Sequence, residues 1–556
     1  MDPARPTAEA LAVEGDRIAA VGTRHEVLAA AGDGAEMVEL GGGALLPGFI
    51  DAHHHYAMSS FERPLPDLHH EPGISVDELL AMIAKLVSRT PGEWFRAHGY
   101  DPLALRERRA PRREELDELC PDRPALLISQ SFLEGCVNSR ALEEMGWSEH
   151  AADPPNGRLV RYRRGRLTGE VGEAALCLVE AKSRGALLAE DAWLEDCERH
   201  GRELLAAGIT RVGDAAVPPV FERLYARAVA DGRLPITVHR MPVSGRSIME
   251  PRLDAEPTCS GPSASPAGPA KLLLDGAQRC AVCLSIGQVL GAAAVIAGQI
   301  ASGRGPATLR ALRRSDRFRI GRDRHLHRGS AFWNVEGLAK THAAAAAAGH
   351  QVAHHAVGNE AVALAVSALD RHGSALGELP GRPRLEHLVF VDRALAGRMA
   401  AVGAMAVVQP RWAHDMGDDL ADVPMPASIR KLPLRTLVDA GVEVALSSDY
   451  PAAHFDVLAA IGSAVSRRTR SGAILLEDEA LTVQEALRGY TAAAAVALGV
   501  EREAGSIEAG KRADLVALSA DPLSEGIDGT RVERTWVGGR LAFEATGTRS
   551  RAQRAP

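Results

Sequence analysis

Eight short apolar runs recur along the chain with helix-like segments between them, and this alternation restricts the fold more than any other feature. They read LLPGFIDAH (45–53), GITRVGDAA (208–216), LPITVHRMPV (234–243), PAKLLLDGA (269–277), HQVAHHAVG (350–358), RPRLEHLVF (382–390), VGAMAVVQP (402–410) and GVEVALSSD (441–449). Short apolar runs suit strands covered on both faces, and strands that alternate with helices are joined by crossovers and lie parallel. Eight such units predict an α/β fold, a (β/α)8 barrel of the TIM type, whose chemistry sits at the C-terminal ends of the strands.

The two chain ends have a different texture. EALAVEGDRIAAVG (9–22) and AEMVELGGGALLPG (35–48) are short β-like pieces broken by Gly and Asp, and ADLVALSADPL (513–523) and VERTWVGGRLAFEA (532–545) repeat the pattern. A helical stretch with 3.6-residue apolar spacing, LTVQEALRGYTAAAAVALGV, precedes the latter pair. We expect residues 1–46 and 497–556 to pair as one small discontinuous β-sandwich domain beside a barrel of residues 47–496. Two insertions exceed a minimal barrel, at about 62–200 and 280–332. The first holds the helix-like SVDELLAMIAKLVSR and a hairpin-like GRLVRYRRGRLTGE. The second opens with AVCLSIGQVLGAAAVIAGQIASG (281–303), uncharged and long enough to raise a membrane span, but rich in Gly, Ala, Ser and Gln and placed between two strands. It reads instead as a buried or lid-forming helix, so membrane contact is not expected, and the basic LRALRRSDRFRIGRDRHLHRG (309–329) reads as a solvated loop.

Charge and cysteine usage narrow the function classes. With 64 Lys+Arg against 72 Asp+Glu the net charge is -8, which lacks the basic excess that a phosphate backbone requires, so nucleic acid is excluded as a partner. The N-terminus has early acidic residues and no secretory signal pattern, which makes the cytoplasm the expected location. The seven cysteines are odd in number and scattered, arguing for reduced thiols; Cys280 and Cys283 form a lone C-x-x-C that, without a second pair, reads as coincidence. The residues do not fix the oligomeric state, a homodimer being the assembly considered.

Three consecutive histidines end the first run. Strand alternation places Phe49, Asp51, His53 and His55 on one face and Ile50, Ala52, His54 and Tyr56 on the other. With Ile50 and Ala52 against a helix-covered outer face, His53 and His55 would enter the barrel mouth, where two neutral imidazoles can chelate a divalent cation, and His54 would not. His355, His387 and Asp449 close three later runs, so five candidate ligands converge on one rim. Their bland alternatives are a satisfied core histidine, a histidine paired with Glu386, and a helix N-cap ahead of Pro451.

PGFIDAHHH, AKLLLDG, HHAVGN, RLEH, SSDYP and the tail GSIEAGKRADLVAL together resemble the amidohydrolase superfamily, in particular the YtcJ-like amidohydrolase family 3, over nearly the whole chain. The resemblance implies a distorted barrel with a small sandwich and one or two divalent metals, zinc above all. It implies that His53 and His55 hold the more buried metal, that His355 and His387 hold the second, and that Lys271, carboxylated on its amine, bridges the two. An ordinary lysine paired with Asp275 is the alternative reading of Lys271. It further implies that Asp449 touches a metal and, as general base, takes the proton of the attacking water and passes it to the leaving nitrogen. His387 or Arg384 would stabilise or orient the oxyanion, and Glu173 is either a pocket carboxylate or a helix-surface acid. Two departures stand at positions expected to line the substrate pocket. Asn359 replaces the acid of the common H-A-I-G-D, and the histidine often found ahead of N-S-x-A-L is missing from SQSFLEGCVNSRAL (129–142). The expected activity is metal-dependent hydrolysis of a non-peptide C–N bond in a small amide-like substrate, of N-formyl or N-acyl type. A cyclic amide or imine hydrolase or deaminase, and a non-catalytic binding protein on the same barrel, are the competing readings.

Overall fold

The computed structural model describes residues 6–32, 34–244, 250–276, 279–305, 318–372, 379–546 and 552–554. Each of the eight apolar runs contains a strand: β1 (Phe49–His54), β2 (Ile209–Val217), β3 (Thr237–Pro242), β4 (Ala270–Leu273), β5 (Val352–Ala356), β6 (Arg384–His387), β7 (Met405–Val408) and β8 (Glu443–Leu446). They lie parallel in two sheets, β3-β2-β1 and β4-β5-β6-β7-β8. The sheets meet at both margins: Gly268 N–H donates to Arg240 O at 2.6 Å, and Asp449 N–H donates to His53 O at 2.9 Å. The second seam sets the end of β8 directly beside the histidines of β1.

Side-chain alternation sorts the strands into two apolar layers. Phe49, Val212, Val238, Leu272, Val352, Leu385, Ala406 and Leu446 pack in the large core formed with the helices. Ile50, Ala52, Ala215, Met241, Ala353, Met405, Val407 and Ala445 form a separate cluster on the other side of the strands, with Ala493–Ala495, Ala497 and Leu498 of the C-terminal helical stretch. Each fully buried aliphatic side chain in these layers contributes about 1.5–3 kcal/mol.

The expected alternation of β1 is therefore corrected: Ile50 and Ala52 face the interior, not the helix layer. The ladder between β1 and β2 shifts register, with Val212 opposite Asp51 and Asp214 opposite His54, so Gly213 faces two residues, Ala52 and His53. This bulge resets the alternation and turns His53 inward after Ala52. Gly213 is required there, because a Cβ would lie 2.4 Å from the Ala52 carbonyl oxygen.

The chain ends share a sheet. Strand Ala44–Pro47 pairs antiparallel with Leu515–Leu518, which continues into the hairpin Val532–Val537 and Arg540–Glu544. The N-terminal hairpin, Ala10–Glu14 with Arg17–Gly22, packs Ile18, Leu11 and Val21 against Leu515, Ala513 and Trp536. The predicted C-terminal helical stretch is two helices, Val483–Gly489 and Ala492–Ala497, separated at Tyr490 and Thr491.

The first insertion carries more strand than expected, a five-stranded sheet of Phe95–Tyr100, Ala125–Ser129, Glu134–Val137, Leu167–Glu173 and Gly157–Arg161. The last two strands are the anticipated hairpin. Helix Val76–Val87 starts where expected, with Ser75 and Glu78 forming a reciprocal cap. In the second insertion, the uncharged stretch is a short strand, Val282–Leu284, followed by helix Ile286–Ala301. That helix is not buried as one alternative supposed: Ile286, Leu290 and Ile300 are exposed, and Gln299 donates to Ala421 O at 3.1 Å. Among the described residues no helix is long and apolar enough to cross a membrane. Residues 309–317 of the basic loop lie outside the described residues.

Candidate metal centre

The strands bring His53, His55, Lys271, His355, His387 and Asp449 near one another, with ligand atoms of His53, His55 and Asp449 within 4.8 Å. Asp449 Oδ1 stands 3.3 Å from His53 Nε2 and 3.1 Å from His55 Nε2. Lys271 Nζ is 3.4 Å from the same His53 nitrogen. The His387 ring lies 4.9 Å from that of His53 and 4.4 Å from that of His355, centroid to centroid. His387, Asp449 and Ala216 all have positive φ (77°, 57° and 60°), so strand ends bend away from extended geometry where the ligands gather.

The orientation of the rings carries the chemical information. His53 Nδ1 is 2.5 Å from Glu386 Oε2, His55 Nδ1 is 3.0 Å from the Ala215 carbonyl, and His387 Nδ1 is 3.0 Å from Gln409 Oε1. The Gln409 amide is oriented by its own donation to Ser447 Oγ at 2.9 Å. Three acceptors thus hold three rings in the Nδ1–H tautomer, which leaves each Nε2 lone pair free for a cation. Burial first, then the Lys271 charge, holds the His53 imidazole well below its ordinary pKa; burial and then His387 do the same for His355. Neutral imidazoles are the ligand form.

The residues fit a divalent metal. His355 Nε2 and Asp449 Oδ1 are buried and have no hydrogen-bond partner, an arrangement costly in a protein interior unless an ion satisfies it. Burial opposes the charge on Asp449, but the approach of His55, His53 and His387 outweighs it and holds the carboxyl well below the usual carboxylate range. The site joins one carboxylate to four imidazoles, a donor set that suits borderline divalent ions.

The bland alternatives fail on geometry. Glu386 pairs with His53 and Arg384, not with its neighbour His387. The N-cap of the following helix is Asp456, not Asp449. Asp275 accepts backbone N–H groups from Ala281, Val357 and Gly358 and is no partner of Lys271. His54 is held at 3.0 Å from Asp51 Oδ2 and stacked on Tyr450 at 5.2 Å, outside the cluster as the sequence predicted.

Two expected substrate contacts are displaced. Arg384 is fully buried behind the ligands and spends its guanidinium on Glu386 (2.8 and 3.1 Å) and on the Ala52 and Ala497 carbonyls (2.8 and 3.1 Å), so it positions Glu386 and meets no oxyanion. The Nδ1 of His387 is engaged by Gln409 Oε1 at 3.0 Å, so with its proton there the ring offers a lone pair, not a donor, at Nε2. Glu173 is not a surface acid. It is buried at the start of helix Ala174–Leu187 with φ 50°, and it lines a cleft of about 600 Å³ with Arg279 and Phe332 beside the β4 loop.

Sequence reasoning missed Gln409 and the role of Glu386 toward His53. Both are polar residues inside apolar runs, VVQP and RLEH, which is the signal that could have found them. It also missed Trp412, stacked 5.4 Å from His387 at 9°. In the segment that lacks the histidine, Gln130 donates to Ala452 O at 3.3 Å. Asn359 does not line the pocket: it exchanges two hydrogen bonds with the backbone of Cys283, at 3.0 and 2.7 Å.

A rim of histidines and a carboxylate at the ends of parallel strands in an α/β fold is a donor set that suits a metal-dependent hydrolase. Residues 36–543 match the model of the Amidohydrolase family, and the chain belongs to that family. N-substituted formamide deformylase of Arthrobacter pascens is 33% identical, over 99% of this chain and 97% of that protein. YtcJ of Bacillus subtilis (strain 168) is 26% identical, over 96% of this chain and 97% of that protein. In fold, the chain resembles the crystal structure of an uncharacterized metal-dependent hydrolase from Pyrococcus horikoshii, with a TM-score of 0.67 at 20% identity, covering 93% of this chain and 95% of that one. The fold is thus of the TIM-barrel type found in metal hydrolases.

Proposed function

We propose that the chain hydrolyses the C–N bond of a small N-formyl or N-acyl amide at a zinc-type centre. The observation that carries this reading is the common orientation of His53, His55 and His387, each with Nδ1 held by an acceptor, and with the Nε2 atoms of His53 and His55 turned on the buried Asp449 carboxylate. The relative named as a deformylase of N-substituted formamides favours the N-formyl class.

His53 and His55 would hold one ion, His355 and His387 a second, and Asp449 would reach the first. A bound divalent ion would supply water activation near neutral pH and polarisation of the scissile carbonyl. Lys271 is the candidate bridge. Burial lowers its ammonium to about 8 against the pull of Glu386 and Asp449, so an appreciable share of the amine is neutral and able to take up carbon dioxide as a carbamate. Asp449 is ionised and faces the reaction space, and it takes the proton of the attacking water and returns it to the departing nitrogen. Amines leave poorly without that proton. Trp412 and the Ser129–Ser131 turn would form walls of the substrate pocket.

The same reading joins the chain ends, residues 1–46 and 497–556, into one discontinuous β-sandwich beside a closed eight-stranded barrel, supported by the pairing of 44–47 with 515–518. Elemental analysis of the purified protein, joined to a screen of N-formyl, N-acyl and cyclic amides, tests the function. Bound zinc with turnover of an N-formyl or N-acyl amide is the expected result. Metal with turnover of cyclic amides alone would replace it with a ring-opening hydrolase, and no metal with no turnover after zinc, manganese or cobalt addition would favour a binding protein.

A further inference from the structure

The lone C-x-x-C and the basic loop of the second insertion take no part in the reaction proposed above, yet they meet in space. Strand Val282–Leu284 pairs antiparallel with Leu326–Arg328, and the latter pairs with Arg319–Ile320. In that register Cys283 is directly opposite His327, so their side chains share one face. His325 lies two residues before His327 and falls on the same face by alternation. The other face is apolar: Val282, Leu284 and Leu326 pack with Val357, Phe390 and Trp412. Cys280, the second thiol of the motif, is buried in that apolar cluster.

Asp323, in the turn between the two later strands, completes the face. Its carboxylate oxygens lie 3.1 Å from His327 Nε2, and one lies 3.5 Å from His325 Nδ1. Cys283 Sγ is 3.4 Å from His325 Nδ1. Ligand atoms of Cys283, Asp323 and His327 all fall within 4.8 Å of one another. The turn is shaped for this approach, since a Cβ at Gly321 would stand 2.3 Å from Asp323 Oδ1 and 2.6 Å from His327 Nε2. The opposite ring nitrogen, His327 Nδ1, is 3.0 Å from Glu360 Oε1 on the first turn of helix Asn359–His372. A carboxylate on Nδ1 with Nε2 facing a thiol and a second carboxylate is the arrangement that orients a metal-binding histidine. The other Glu360 oxygen is buried without a hydrogen-bond partner.

We propose that Cys283, Asp323 and His327, with His325 as fourth ligand, form a second divalent-metal site of the zinc type that fastens the insertion sheet over the barrel mouth. Thiolate, imidazole and carboxylate in a roughly four-coordinate set suit zinc or cobalt, and not the hard oxygen-seeking ions. The tie runs from the insertion strand through His327 and Glu360 to the helix that follows His355. The hydrogen bonds between Asn359 and the Cys283 backbone reinforce the same junction.

The test uses full-length protein reloaded with Co²⁺ and read in the near ultraviolet. None of the ligands of the hydrolytic centre is a thiol, so a thiolate-to-cobalt charge-transfer band reports this site alone. The wild type is expected to show the band, and Cys283→Ser and His327→Ala are expected to lose it together with one equivalent of metal by elemental analysis. A wild-type spectrum indistinguishable from that of Cys283→Ser, or equal metal content in wild type and both variants, overturns the site and leaves His327 as an imidazolium between two carboxylates. Should the variants fail to fold, alkylation of the wild type gives the answer. Zn²⁺ is expected to slow modification of Cys283 by about tenfold or more, because a coordinated thiolate is masked, while the exposed Cys259 is unaffected. Equal protection, or none at either thiol, refutes it.

Discussion

Glu386→Gln is the sharpest probe of how the centre is preset. Glu386 is fully buried and receives donors from two sides, His53 Nδ1–H at 2.5 Å and Arg384 Nε and Nη2 at 2.8 and 3.1 Å. Glutamine keeps the shape but offers one oxygen and one NH₂, so whichever way the amide turns, a donor faces a donor. If the oxygen stays on Arg384, His53 loses the acceptor that fixes its tautomer. Loss of such a carboxylate costs about 10–100-fold in metal affinity, about 1.4–2.8 kcal/mol. The uncompensated Arg384 adds a stability loss, about 3–5 kcal/mol for a broken buried pair, at the low end here because the Ala52 and Ala497 carbonyls still hold the guanidinium. Chelator competition measures the first effect and urea unfolding of the metal-free protein the second. Wild-type metal affinity in Glu386→Gln would show that His53 is not oriented through this carboxylate.

Three further outcomes are expected. His54→Gln retains the metal of the hydrolytic centre while His53→Gln and His55→Gln lose it by elemental analysis; equal loss at all three would show that His54 does not stand outside the ligand set. Gly213→Ala lowers the unfolding free energy in urea by about 2–4 kcal/mol, as it drives a methyl into the Ala52 carbonyl at the bulge, and an unchanged free energy would refute the bulge. Burial, then the charges of Arg211 and Arg384, lower the His239 imidazole from 6.5 to about 3. The folded state therefore binds fewer protons than the unfolded chain between those values, so this contribution is intact above about pH 6.5 and is lost as the pH falls toward 3. Urea titrations of His239→Gln should show a stability–pH slope shallower by about 1.4 kcal/mol per pH unit in that window, and parallel slopes would exclude His239 as a source of acid lability.

The eight strands were legible because each is a distinct apolar run, and the histidines and aspartate that the structure brings together were legible because they stand at the ends of such runs. The separation of His54 from its neighbours was also predicted, but through an alternation that the bulge opposite Gly213 breaks. That bulge depends on a contact between β1 and β2 some 160 residues apart, which no local pattern encodes. Arg384 looked like a pocket residue because it is charged and near a strand end. Its true setting is fixed by carbonyls from Ala52 and Ala497, both remote in sequence. The Cys283, Asp323 and His327 face was invisible for the same reason: its members come from two strands and a turn that only the insertion's antiparallel register aligns.

In the proposed reaction a metal held by this rim performs the hydrolysis. The direct measurement is turnover of an N-formyl or N-acyl amide by wild type and Asp449→Asn, each after chelation and after return of zinc. The wild type should lose turnover on chelation and regain it with zinc, and Asp449→Asn, still folded, should remain inactive in both states. Full turnover by the metal-free wild type, or wild-type turnover by Asp449→Asn, would contradict it.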